Sequence, residues 1–122
     1  MSQAQDQAIE RAILATGKTG QRVRFQEIDA LMATVKIHTQ RIEGTCSTIA
    51  LATLPNGFTL AIGHSACVDP AMFGAQIGVE VASEDALAQA RKALWQYEGY
   101  ALKKAMAPPE IGHVAGAIAD EL

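Results

Sequence analysis

The chain has 122 residues, a net charge of −3 and no basic run longer than Lys103-Lys104. That length suits one domain spanning 1–122, with 108–122 as a C-terminal extension, and the charge excludes the basic stripe of a protein that coats bulk nucleic acid. Half the residues are hydrophobic, but many are alanine, so the core is expected to be thin and a partner subunit to cover part of the surface, as in a homo-oligomer.

Ser2 caps a first helix over residues 4–16, with Ala8, Ile9, Ala12, Ile13 and Ala15 as its apolar stripe. Gly17 ends it. Gly17-Lys18-Thr19 is not a phosphate loop, because neither the earlier glycine nor a preceding strand is present. A short helix follows over residues 24–33, with Phe25, Ile28, Leu31 and Met32 on one face and Gln26, Glu27 and Asp29 toward water. Val35 and Ile37 then alternate with Lys36 and His38 as a strand, and residues 40–45 form a polar loop. Residues 47–54 are a second strand, with Ile49 and Leu51 on one face and Thr48, Ala50 and Ala52 on the other. Pro55-Asn56-Gly57 reads as a hairpin, Asn-Gly suiting a type I′ turn, and Phe58, Leu60 and Ile62 are the expected core face of the returning strand. Beyond the corner at residues 63–69, Asp69 and Pro70 suit the start of a helical turn that closes at Met72 and Phe73. From about Ala75 the pattern is helical to Ala107. Ile77, Val81, Leu87, Leu94, Trp95 and Leu102 form its stripe, and Ser83-Glu84-Asp85 leaves one kinked helix or two helices open. Gly99 weakens the helix by ~1 kcal/mol against alanine and permits close backbone approach. Pro108-Pro109 ends it. The expected fold is α+β: a small antiparallel sheet of at least three strands, an N-terminal helix pair and a long C-terminal helix.

No apolar stretch reaches the ~20 residues that cross a bilayer, and residues 1–6 do not open a secretory signal, so a cytoplasmic protein without a membrane partner is expected. Cys46 and Cys67 have no CxxC or zinc spacing and are expected as reduced, mostly buried thiols. His64, Ser65, Cys67 and Asp69 crowd one corner, but catalytic groups usually meet from distant segments. Ser65 and Asp69 are therefore expected to satisfy loose backbone donors. Glu80, Glu84 and Asp85 read as a solvated face, and His38, His64 and His113 share no metal spacing. No catalytic set, metal or cofactor is predicted. Of Trp95, Tyr97 and Tyr100, Trp95 joins the core stripe, so Tyr97 or Tyr100 looks elsewhere. Lys103 follows Tyr100 on the same face, a pairing that suits a nucleotide through base stacking and a phosphate contact.

The ordered motifs Asn56-Gly57-Phe58, Ser65-Ala66-Cys67-Val68-Asp69-Pro70, Phe73, Ile77-Gly78, Leu94-Trp95 and Glu98-Gly99-Tyr100 resemble a family of small phage proteins. Its members are catalogued as gene-49/gene-66-like and include the Thoeris anti-defence sponges. The resemblance covers residues 25–106. It implies a non-enzymatic protein of the host cell cytoplasm, a homo-oligomer built from dimers. Such proteins hold a nucleotide signal of host immunity, glycocyclic ADP-ribose or a cyclic oligonucleotide, without cleaving it, in pockets near subunit boundaries. It also implies that Phe73 stacks on a base and that Lys103 meets a phosphate. The family's asparagine between Ile-Gly and Leu-Trp falls on Asp85 counted forward from Gly78, or on Gln89 counted back from Trp95, because this chain is about one helical turn longer there. An aspartate would repel a diphosphate. A basic residue expected nearer the helix end is missing, since Ala105 and Met106 stand there. The resulting ligand-binding set is Phe73, Asp85, Gln89, Tyr100 and Lys103. The alternative is a phage protein that docks on a host or phage protein without a small ligand, and a weaker one is a small hydrolase using His64 or Cys67.

Overall fold

The computed structural model describes residues 2–17, 20–69, 71 and 74–106, which form an α+β fold. The Ser2 hydroxyl accepts from the Gln5 N–H, and the Gln5 side chain accepts from the Ser2 N–H in return. This reciprocal cap starts helix α1, Gln3–Ala15. Helix α2, Phe25–Met32, buries Ile28 completely and half-buries Phe25, Leu31 and Met32, as its spacing predicts.

Three strands follow in meander order: β1 (Lys36–Arg41), β2 (Thr48–Thr53) and β3 (Thr59–Ser65), all antiparallel with β2 central. The hairpin between β2 and β3 stands, but its turn is not type I′. Asn56 does not adopt positive φ; Gly57 alone does, at +89°. The Gly57 N–H donates to the Leu54 carbonyl at 2.9 Å, and the Leu54 N–H to the Phe58 carbonyl at 2.9 Å. This is a three-residue loop, a type I turn closed by a left-handed glycine, and Pro55 suits its first central position because its ring presets φ. The Asn56 carboxamide oxygen accepts from the Phe58 N–H and braces the turn.

Helix α3, Ala75–Met106, is a single helix of 32 residues, which settles the choice between one helix and two. It lies across the sheet face that carries Thr48, Ala50 and Ala52 of β2 and their partners Ser65, Gly63 and Ala61 of β3. Its buried line is Gly78, Ala82, Ala86, Ala90 and Leu94. The predicted stripe of larger residues is wrong in part: Ile77, Val81 and Leu87 are exposed, whereas Leu94 is buried and Trp95 half-buried. The reason is close approach. A Cβ on Gly63 would stand 2.2 Å from the Ala82 carbonyl oxygen, so only small residues fit between the backbones. The same packing corrects the face assigned to β3. Leu60, the unpaired residue of a bulge between the Ala52–Ala61 and Thr53–Thr59 pairs, joins the core, but Phe58 is 48% exposed and Ile62 54%. The buried apolar residues among those described are Ile28, Leu60, Leu94 and five alanines, which bears out a thin core.

Helix α1 docks rotated from its apolar stripe, with Ile13 half-buried beside an inward-facing pair of acids. Its buried residues are Asp6 and Glu10, whereas Ile9, Ala8 and Ala12 are exposed. Glu10 makes two parallel 2.6 Å bonds with the Arg22 guanidinium. Asp6 Oδ2 accepts from Arg91 Nε at 2.5 Å and from the Trp95 indole N–H at 2.9 Å, which fastens α1 to α3. Arg91 Nη2 lies 2.8 Å from Asp29 Oδ1, an ion pair without hydrogen-bond alignment, so Asp29 faces an arginine as well as water. Arg91 is itself buried on α3 and would be an uncompensated charge without Asp6, which holds this side of α1 inward.

Candidate functional site

Helix α3 positions the sequence-predicted residues. Asp85, Gln89, Tyr100 and Lys103 fall on one side of it, because the eighteen residues from Asp85 to Lys103 make about five turns. They do not converge. At about 1.5 Å per residue, Gln89 and Tyr100 are separated by about 16 Å along the axis and Asp85 and Lys103 by about 27 Å. A mononucleotide-sized ligand on one chain therefore reaches one end of this face or the other.

At the first end, Asp85 Oδ2 accepts the His64 backbone N–H at 3.0 Å, supplying a partner to an edge-strand donor of β3. A hydrogen bond from the Gln89 side chain, reinforced by the His64 N–H, holds the Asp85 carboxyl below the ordinary carboxylate range. The two candidates for a single family position are thus joined in one polar unit. Asp85 is half-buried and departs from the solvated face expected for it, while Glu80 and Glu84 are exposed. At the second end, Tyr100 is 68% exposed and Lys103, one turn on, is exposed too. This aromatic and this cation are open to a planar anionic ligand. Tyr97 points elsewhere, its ring edge-on to Phe58 at 5.7 Å and 66°. Gly99 has open space where a Cβ would stand, so close backbone approach there is not used among the described residues. Phe73, Pro70, Met72 and the segment after residue 106 lie outside the described residues.

The corner at residues 64–69 is built for structure. Ser65 Oγ donates to the Gly78 carbonyl at 2.9 Å, so it satisfies an acceptor of α3 rather than the backbone donor expected. Asp69 Oδ1 accepts the Ala71 N–H at 2.9 Å, as expected. The Cys67 thiol donates to the Asp69 carbonyl at 3.4 Å, and burial, with Cys46 beside it, pushes its pKa up, away from the thiolate. Both cysteines are half-buried and line one small cavity with Ser65, Ile77 and Val81. Among the described residues no hydrogen bond links His64 to Ser65 or Cys67, and no three metal-ligating side chains gather.

A second cavity, of about 170 Å³, opens between α1, the segment at Arg22-Val23, and α3. Ile9, Ile13, Val23 and Trp95 give it apolar walls; Asp6, Glu10 and Arg22 give it charge. Periodicity missed this arrangement. Asp6 and Glu10 are four residues apart, as are Arg91 and Trp95, which puts each pair on one helix face. That spacing was visible, but not that the two faces meet across 85 residues of chain.

The fold and these surfaces define a small α+β protein with a long helix α3 across its sheet and an N-terminal helix held by buried ion pairs. Residues 23–106 match the phage protein (N4 Gp49/phage Sf6 gene 66) family, and the chain belongs to it. Helix α1 precedes the matched residues. Neither the characterised proteins nor the solved structures offer a significant match.

Proposed function

We propose that this phage-family protein binds and sequesters a cyclic nucleotide signal of host immunity, of the glycocyclic ADP-ribose type or a cyclic oligonucleotide, without cleaving it. The observation that carries the reading is the exposed Tyr100–Lys103 pair on α3. An aromatic ring stacks on a base and an ammonium one turn away meets a phosphate. The separation of the two ends of the face favours a site completed by a second subunit. If two α3 helices pair antiparallel about a two-fold axis, Asp85 of one meets Lys103 of the other, and Gln89 meets Tyr100, because both pairs share nearly the same midpoint. Lys103 then stands between the partner's carboxylate and the ligand phosphate, and that carboxylate, held by its own Gln89 and His64, does not face a diphosphate bare. Calorimetry with glycocyclic ADP-ribose tests the reading. Tyr100→Ala and Lys103→Ala are each expected to weaken binding about tenfold or more, as stacking losses of ~1–3 kcal/mol imply, with oligomer size on gel filtration unchanged because each removes one contact of a much longer helix pairing. Normal affinity in both variants sinks this pocket.

The open face of the sheet supports the second reading, a docking protein. Ile62 is exposed there, with Ile49 and Leu51 half-buried beside it. A protein partner retained from infected cells, with no heat of binding to any cyclic nucleotide at micromolar protein, decides for it.

A further inference from the structure

The two cysteines are far apart in sequence, yet the sheet aims them at each other. The β2–β3 ladder ends with Thr48 opposite Ser65, in a register that runs unbroken from Ala52 opposite Ala61. Two residues before Thr48 stands Cys46, and two residues after Ser65 stands Cys67. Continued by two residues, the same register sets one cysteine opposite the other. Side chains repeat every second residue, so both thiols keep to the face of Thr48 and Ser65, the one that α3 covers. Their surroundings agree. Both cysteines are free and half-buried, and they share one cavity of about 100 Å³ with Ser65, Ile77, Gly78 and Val81 of that face. The shift of the Cys67 thiol agrees too: burial is its first cause, and a hydrogen bond and charge from the Cys46 thiol come next. Opposed residues of an antiparallel ladder have Cα atoms about 4.5–5.5 Å apart, and a disulfide spans about 4.4–6.8 Å. A bond between the two sulfurs therefore asks for no large movement of either segment. Two thiols with no third ligating side chain among the described residues do not make a zinc site.

We infer that Cys46 and Cys67 form a paired modification site, closed to a reversible intramolecular disulfide by a small-molecule disulfide such as glutathione disulfide. One cysteine, as thiolate, attacks a sulfur of the glutathione disulfide. A protein–glutathione S–S bond forms, the glutathione S–S bond breaks, and one glutathione thiolate leaves. The second cysteine, as thiolate, attacks the protein sulfur of this mixed disulfide. The Cys46–Cys67 bond forms and the second glutathione thiolate leaves. The two thiol protons end on the two glutathiones, and two electrons pass from the protein to them. The bond closes a ring around β2, its hairpin and β3, and ties the corner that carries the exposed Val68 to the end of the sheet. The site is independent of the Tyr100–Lys103 face.

The full-length protein is equilibrated in glutathione buffers of graded ratio, both native and in denaturing urea, then acid-quenched, alkylated and weighed by mass spectrometry. The chain has two cysteines, so a monomer lighter by two hydrogens and closed to alkylation contains the Cys46–Cys67 bond. The expected equilibrium constant for closure is at least about tenfold larger in the native protein than in the unfolded chain, because the fold has already brought the ends of the ring together. By linkage the oxidised protein then unfolds at higher urea than the reduced one. Cys46→Ser/Ser47→Cys moves the thiol by one residue, onto the other face of the strand, and should lose the native advantage while circular dichroism stays native. If that variant does not fold, the native and unfolded constants of the unaltered chain decide alone. Equal constants in the two states, glutathione mixed disulfides in place of the internal bond, or a folded shifted-thiol variant that closes as well as the natural pair would each overturn the inference.

Discussion

Replacing Gly63 with alanine places a methyl carbon 2.2 Å from the Ala82 carbonyl oxygen, 2.4 Å from the Ala86 nitrogen and 2.9 Å from the Ala86 Cα. All three atoms are backbone, so no side-chain rotation relieves the clash. Ordinary carbon contacts begin near ~3.5 Å, so α3 must retreat by about 1.3 Å or β3 must bend away. Retreat opens the whole contact that Ala50 and Ala52 make with Ala82, Ala86 and Ala90, a large share of this thin core. A radial gap of ~0.5–1 Å forfeits a quarter to a half of each dispersion contact, and overpacking alone costs ~1–3 kcal/mol. The expected loss is therefore about 3 kcal/mol or more, a large part of the stability of a domain this size. Urea unfolding followed by circular dichroism measures it, with Gly99→Ala as the matched control. Gly99 is helical and a Cβ there meets nothing within 4 Å, so alanine should raise stability by about 1 kcal/mol. A Gly63→Ala protein within about 0.5 kcal/mol of wild type would refute the close helix–sheet packing described above.

Two further outcomes follow from the ion pairs of α1. Arg91→Leu leaves the buried Asp6 without its charged partner and should destabilise by about 3 kcal/mol, with a large part recovered in Arg91→Leu/Asp6→Leu; urea midpoints for the three proteins check this, and a purely additive double variant contradicts it. The hydrogen bond from Arg22, helped by charge, holds the Glu10 carboxyl below its ordinary value of 4.5. The folded state therefore binds fewer protons than the unfolded one. The stability from this pair is complete above pH 4.5 and is lost as pH falls through the lower folded value. Glu10→Gln should lower stability at neutral pH and flatten the acid limb of the stability–pH curve, measured by urea unfolding from about pH 7 to pH 3; parallel acid limbs in the two proteins count against the pairing.

The fold was legible where local chemistry decides it. The Ser2 cap, the apolar face of α2 and the Pro55-Asn56-Gly57 reversal all announce themselves in a few residues. Which faces meet was less legible, because periodicity weighs large residues, whereas α3 rests on the sheet through glycine and alanine. Ile77, Val81 and Ile62 read as core for that reason and stand exposed. Helix α1 failed differently: its apolar stripe is genuine, but Arg22 and Arg91 draw in the acidic side, and nothing local to α1 says where those arginines lie. For the candidate site, the outward placement of Tyr100 and Lys103 could be read from Trp95 taking the core-facing position. The bond between Asp85 and the His64 N–H could not, since it depends on α3 passing the edge of β3.

The sequestration proposal is tested most directly by retention and release. The protein is incubated with glycocyclic ADP-ribose, freed of unbound ligand by gel filtration and heat-denatured, and the supernatant is analysed by mass spectrometry. Intact ligand, released only on heating and in fixed ratio to protein, is the predicted result. Cleaved ligand would mean an enzyme, and none retained would mean a protein that docks elsewhere; either contradicts the account.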